Sequence, residues 1–196
     1  MQDVSTDSSV IQRSVREPAV FGELFHRHAS RLHRYVARRA GDTVADDVIS
    51  ETFLIAFERR ARFDLSHEDA RPWLFGIATN LIHRHRIAEA RTLRTAERFV
   101  ADSPAVSDPE RMDEQVAAHL EMKRVAKVLR RLPIGDRDCL LLYAWEDLSY
   151  EQIAEAMSIP TGTVRSRLNR ARRALRAEPL IEEGTHERAH YAPDPA

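Results

Sequence analysis

Apolar residues recur at helical spacing along most of this chain, and the breaks in that pattern divide it into helices. From Glu17 to Ala40, Phe21, Leu24, Phe25, Leu32, Tyr35 and Val36 fall on one face of a predicted helix. Gly41-Asp42 interrupts the pattern. A second helix is predicted over DTVADDVISETFLIAFERRARF, with Val44, Val48, Phe53 or Thr52, Ile55 or Ala56, and Phe57 on an apolar face broad enough to meet several neighbours. Asp64 to Arg71 is a polar link. Pro72 suits the first turn of a third helix, where its missing N–H costs nothing. Trp73, Leu74, Ile77, Ala78, Leu81 and Ile82 form the apolar stripe of that helix. Residues up to about Arg16 are polar and read as loose.

The second half begins after the best linker in the chain, Ala101 to Glu110, which carries Ser103-Pro104 and Asp108-Pro109. Val116, Leu120, Val125, Val128 and Leu129 mark a helix closed by Leu132-Pro133. Further helices are expected over Asp138–Trp145, Ser149–Met157 and about Thr163–Ala177, with Pro179 ending the last. The expected fold is all-α: two small helical domains joined by a flexible acidic linker, the second containing a helix-turn-helix. The boundaries read as 17–98, a linker 99–113, a second domain 114–178 and a disordered tail 179–196.

The helix-turn-helix carries the sharpest local signals. Ser149 is placed to cap a helix, with Gln152 at the reciprocal capping-box position and Leu148 and Ile153 at the spacing of a hydrophobic staple. Pro160 prevents simple continuation, and Thr161 or Thr163 can cap the helix that follows. In that helix Val164, Leu168, Ala171 and Leu175 share one face. The remaining surface is rich in arginine, the side chain that bridges guanine acceptors in a major groove and neutralises phosphates. Thr163, Arg165, Ser166, Arg167 and Arg170 are the candidate groove residues, and Arg172 and Arg173 the candidate backbone contacts.

Charge sharpens this picture. The net charge of -1 argues weakly against nucleic acid, but the average hides a partition, and DNA responds to the local field. Pro160 to Arg176 holds six arginines and no acid, whereas Asp102 to Glu121 is acidic. The second helix presents Asp46, Asp47, Glu51 and Glu58, which suits a basic protein partner. The third carries His83, Arg84, His85 and Arg86, which suit nucleic acid; Asn80, four residues before Arg84, can touch an exposed base or cross-link helices. A single cysteine, Cys139, excludes an internal disulfide and reads as a buried thiol in a reducing compartment. No apolar run approaches spanning length, so cytoplasmic placement without membrane insertion is expected. Neither His83/His85 nor His26/His28 has metal-ligand spacing, so neither metal, cofactor nor catalysis is expected.

Taken together, FGELFHRHASRLHRYVARR, DTVADDVISETFLIAFER, RPWLFGIATNLIHRHR and LRRLPIGDRDCLLLYAWEDLSYEQIAEAMSIPTGTVRSRLNRARRAL resemble the extracytoplasmic-function group of bacterial sigma factors, in the correct order over most of residues 21–176. The resemblance implies sigma region 2 followed by sigma region 4. It puts Asp46, Asp47, Glu51 and Phe53 on the helix that meets the β′ clamp helices of RNA polymerase core, with region 4 meeting the β flap. It puts the Asp64–Arg71 link, including His67, with Asn80 and Arg84, where members bind the melted non-template strand of the minus-10 element. The helix from Thr163 corresponds to the reader of duplex minus-35 DNA, and residues Ser103 to Glu114 to a linker along the RNA-exit path. An anti-sigma factor is a further implied partner. Ser50 stands where many members have glutamine. The alternatives are a two-domain regulator without sigma activity, or a sigma-like decoy for an anti-sigma protein.

Overall fold

The computed structural model describes residues 5–97 and 124–177, all of them helix, turn or loop. The linker reading over 99–113, the tail 179–196 and the start of the second domain lie outside the described residues. The first helix of the described residues is α1 (Asp7–Ser14), where the sequence suggests a loose segment. Thr6 caps it through its hydroxyl, which accepts from the Ser9 amide at 3.3 Å. Val10 and Ile11 are fully buried against the domain. Two adjacent apolar residues are too few to set a helical period, so packing rather than pattern makes this element.

A 3-10 turn over Pro18–Phe21 runs into α2 (Gly22–Ala40). Gly41, at φ 86°, makes the break that lets α3 (Asp42–Arg59) turn back, and a side chain there would be strained. A second 3-10 turn, Arg60–Arg62, ends α3 earlier than its sequence pattern suggests. The loop from Phe63 then leads to α4 (Arg71–Glu97). Leu24, Leu32, Tyr35 and Val36 of α2 meet Val48, Phe53 and Ala56 of α3 and Leu74, Phe75, Ala78 and Ile82 of α4 in one core. Each of the valine, leucine, isoleucine and phenylalanine side chains among them contributes about 1.5–3 kcal/mol of burial. Tyr35 packs edge-on to Phe75 at 5.0 Å, and its hydroxyl meets the Thr79 hydroxyl at 2.9 Å.

The second module comprises α5 (124–131), α6 (Ile134–Glu146), α7 (Tyr150–Met157) and α8 (Thr161–Ala177). The capping box forms as the sequence predicts, with Ser149 accepting from the Gln152 amide and Gln152 reaching back to the Ser149 amide. Ser158 adopts the left-handed conformation, and the Ile159 amide returns to the Ala154 carbonyl at 2.9 Å. That closure allows α8 to start at Thr161, where the Pro160 carbonyl accepts from the Thr163 and Val164 amides. Val164, Leu168 and Ala171 are fully buried. No helix among the described residues is long and apolar enough to cross a membrane.

The two modules are packed against each other. Helices α4 and α7 cross at Gly76, whose missing side chain leaves room for the backbone of Ala156. Arg39 at the end of α2 pairs with Asp138 of α6, and both are buried. His83 Nε2 lies 2.9 Å from the same carboxylate. Burial opposes ionisation of Asp138, but His83 and Arg39 outweigh it and hold the carboxyl below its usual range. Arg31 grips the end of α6 through the Glu146 carboxylate and carbonyl, each at 2.7 Å. Removing one partner from a buried pair such as Arg39–Asp138 strands a charge at about 3–5 kcal/mol, so this contact favours the packed arrangement of the modules.

Candidate nucleic-acid and protein interfaces

The outward face of α8 carries most of the residues that the helical period turns away from the core. With Val164, Leu168 and Ala171 turned inward, the opposite stripe at i, i+4, i+7 and i+11 is Gly162, Ser166, Asn169 and Arg173, all exposed. Arg165 and Arg176 flank it, and Thr163 is half-buried. The helical period of the sequence places Asn169 on this surface, where an asparagine can meet adenine, but it is not among the named groove candidates.

Three predicted arginines are tied to the protein instead. Arg170 holds buried Asp136 with two bonds, Nε at 2.8 Å and Nη2 at 2.7 Å. The guanidinium of Arg167 lies over Gly135, so close that a Cβ there would meet Nη1 at 2.6 Å. It also faces Cys139, whose thiol burial pushes up and Arg167 partly draws back down. Arg172 donates to the Tyr150 hydroxyl at 3.1 Å and covers the Tyr143 ring at 4.9 Å. Through these contacts Arg167, Arg170 and Arg172 help orient α8 on its scaffold, while the Arg170 side chain stays 56% exposed.

In the first module, the loop between α3 and α4 is an exposed tip held at both ends. Phe63 packs on Trp73 at 5.0 Å where the loop begins. Leu65, Ser66, His67 and Glu68 are exposed, and the Asp64 carboxylate accepts from the Ser66 amide at 3.0 Å. The far end is fixed by Asp7 of α1, a residue that sequence reasoning missed. Its amide donates to the Glu68 carbonyl at 3.1 Å, and its carboxylate accepts from the Ala70 amide at 3.0 Å. The same carboxylate meets His28 Nε2 at 2.7 Å and Arg27 Nη1 at 3.0 Å. Burial raises the pKa of Asp7, but the bonds from His28, Ala70 and Arg27 and the charge of His28 win, leaving it at about 2.

Beyond the loop, Asn80 and Arg84 lie one turn apart on an exposed face of α4. Arg84 donates to Glu51 of α3 at 2.6 Å, so two residues predicted for different partners neutralise each other. Exposure of both sides keeps that bond weak. Asp46, Asp47 and Ser50 are exposed on α3 beside Glu51. Phe53, predicted as a contact, is instead 7% exposed and packs at a tilt against Phe25, with ring centroids 4.8 Å apart. Leu54, 55% exposed, holds the surface position next to it. His67 meets Glu155 of α7 at 3.4 Å, and Asp69 accepts from Gln152 of α7 at 3.0 Å, so the second module covers part of the loop.

Comparison with known proteins fits this two-module arrangement. The family model for sigma-70 region 2 matches residues 24–92, and that for sigma-70, region 4 matches residues 122–175. The RNA polymerase sigma factor NccH of Alcaligenes xylosoxydans xylosoxydans is 30% identical over 181 residues, which cover 90% of this chain and 96% of that one. The ECF RNA polymerase sigma factor SigL of Mycobacterium tuberculosis is 33% identical over 161 residues, covering 82% of this chain and 89% of the relative. Among solved structures, CnrH in complex with the cytosolic domain of CnrY matches with a TM-score of 0.60 at 27% identity, covering 87% of this chain and 95% of that one.

Proposed function

The chain belongs to the sigma-70 family as an alternative sigma factor of the extracytoplasmic-function group, and on that premise we propose how its surfaces divide the work. The exposed acidic face of α3, Asp46, Asp47, Glu51 and Leu54, meets the β′ clamp helices of RNA polymerase core, and the second module meets the β flap. The loop tip Leu65–Glu68, with Asn80 and Arg84, captures an unstacked non-template base of the minus-10 element. Opening a base costs a few kcal/mol, which contacts made only to the flipped base offset. The α8 stripe of Ser166, Asn169 and Arg173, flanked by Arg165, reads the minus-35 major groove, where asparagine pairs with adenine and arginine with guanine. The protein supplies binding energy rather than bond chemistry. An anti-sigma protein is the expected inhibitor; support comes from the related CnrH, solved with the cytosolic domain of CnrY on the same fold.

The observation that carries this reading is the acid-free outward stripe of α8 on a capped helix-turn-helix, joined in one chain to a loop pinned at both ends. Minus-10 and minus-35 elements lie about 25 base pairs apart, or about 85 Å at 3.4 Å per pair. Modules that touch through α4 and α7 cannot read both at once, so promoter engagement separates them. The 26 residues from 98 to 123 can reach about 90 Å when extended, enough for that separation. Reconstitution with core polymerase on a randomised promoter pool tests the whole reading. Initiation enriched for paired motifs at this spacing is expected; absence of initiation from any member refutes it.

A further inference from the structure

Where the modules meet, a cavity of about 180 Å³ is walled by cationic and apolar side chains. Arg38 and Arg39 come from the end of α2 and Arg86 from α4; Arg130 comes from α5, and Arg137 and Trp145 from α6. Among the described residues no carboxylate lines it. Arg137, Leu141 and Trp145 stand at i, i+4 and i+8, so one face of α6 supplies a fork, an apolar floor and a ring.

Of these guanidiniums Arg137 is the poorly served one; Asp138 and Glu89 act on Arg86 from outside the lining, and Arg38 acts on Glu146. Arg39 is committed to Asp138, and Arg86 reaches the Arg39 carbonyl. Arg137 touches the Leu129 carbonyl at a long 3.4 Å, and its buried Nε has no hydrogen-bond partner. Arg38 lies over the Trp145 ring at 5.4 Å. Burial, then repulsion from Arg137 and Arg39, pushes the Arg86 guanidinium below its usual pKa. Buried donors ordinarily find acceptors, and crowded guanidiniums match the planar, bidentate demand of phosphoryl oxygens. Drug-sized sites start at about 300 Å³, so this cavity suits an anion near the size of phosphate or pyrophosphate.

We propose that the inter-module cavity binds a small phosphoryl anion, gripped by Arg38 and Arg86 of the first module and Arg130 and Arg137 of the second, beside Trp145. Because both modules supply the grip, the ligand binds only while they are packed together. At a concentration 100 times its Kd it raises the packed-to-separated ratio about 100-fold. That regulatory consequence, unlike the site itself, rests on the sigma reading.

Sodium pyrophosphate titrated calorimetrically into the full chain, against sodium chloride at matched ionic strength, tests the site without polymerase or promoter. Saturable binding with a change in tryptophan emission is expected. Arg86→Gln and Arg137→Gln each weaken it about 10-fold or more, while exposed Arg59→Gln leaves it unchanged. Arg137→Lys keeps the charge but loses the fork; it also weakens binding and covers the case in which the glutamine variant misfolds. ATP binding as tightly as pyrophosphate identifies a nucleotide-borne phosphoryl group; pyrophosphate binding alone identifies a free anion. Heat and emission equal to those of chloride, or undiminished affinity in both cavity variants, overturn the proposal. The sigma assignment survives that result, because initiation on the promoter pool is measured separately.

Discussion

Gly76→Ala sets two effects of opposite sign against each other. Alanine favours the interior of α4 by about 0.5–1 kcal/mol, so considered alone the first module gains stability. In the packed protein, however, the added methyl meets the Ala156 carbonyl carbon at 3.2 Å and its Cα at 3.3 Å, with the carbonyl oxygen nearer still. Backbone cannot rotate away as a side chain can, so α7 must retreat. A gap of about 0.5–1 Å forfeits a quarter to a half of the dispersion attraction between facing atoms. It also stretches the 3.0 Å bond from Gln152 to Asp69 out of range. Overpacking of this kind costs about 1–3 kcal/mol, equivalent to a roughly 5–150-fold fall in the packed-to-separated ratio. Small-angle scattering and hydrogen exchange of the α7 amides in the full chain read that ratio. Gly22→Ala is the control, since nothing lies within 4 Å of a methyl there. The expected outcome is expansion and faster α7 exchange in Gly76→Ala alone. Unchanged dimensions with a raised unfolding midpoint would mean that α4 and α7 do not cross at Gly76.

Three further outcomes follow from the same contacts. Asp7 has its pKa depressed to about 2 from the usual 3.8, so its contribution, about 2 kcal/mol, is fully present above the unfolded value and vanishes as pH falls through about 2. Denaturant midpoints of wild type and Asp7→Asn should therefore differ at pH 5 and converge near pH 2; a gap independent of pH contradicts this origin. Ser149→Ala removes the cap and half of the capping box, and chemical denaturation should register a loss of about 1 kcal/mol. On a library of minus-35 duplexes, Asn169→Ala should change which base is preferred, by about 1–3 kcal/mol at one position. Arg170→Ala should instead lower the unfolding midpoint by stranding the buried Asp136 carboxylate, and a base-specific effect from it would return that arginine to the groove.

What the sequence by itself determined is what short-range physics controls. The periods of α2, α4 and α8, the break at Gly41, the capping box at Ser149 and the arginine-rich second helix of the helix-turn-helix are written within a few turns of chain. They suffice for an all-α fold with a helix-turn-helix, and the ordered motifs suffice for the family. Tertiary structure decided the rest, because the deciding partners are far apart in sequence. Val10 and Ile11 make a helix only because a core waits for them. Phe53 belongs inside rather than outside because Phe25 packs against it. Arg170 reaches back to α6 because the buried Asp136 carboxylate there accepts both bonds of its fork. Asp7 governs a loop some sixty residues away because its carboxylate is the acceptor within reach of the Ala70 amide. The packing of one module on the other depends on Gly76 lacking a side chain and on Arg39 meeting Asp138. A helical period says which residues are turned inward; it does not say what they, or their charged neighbours, will find there.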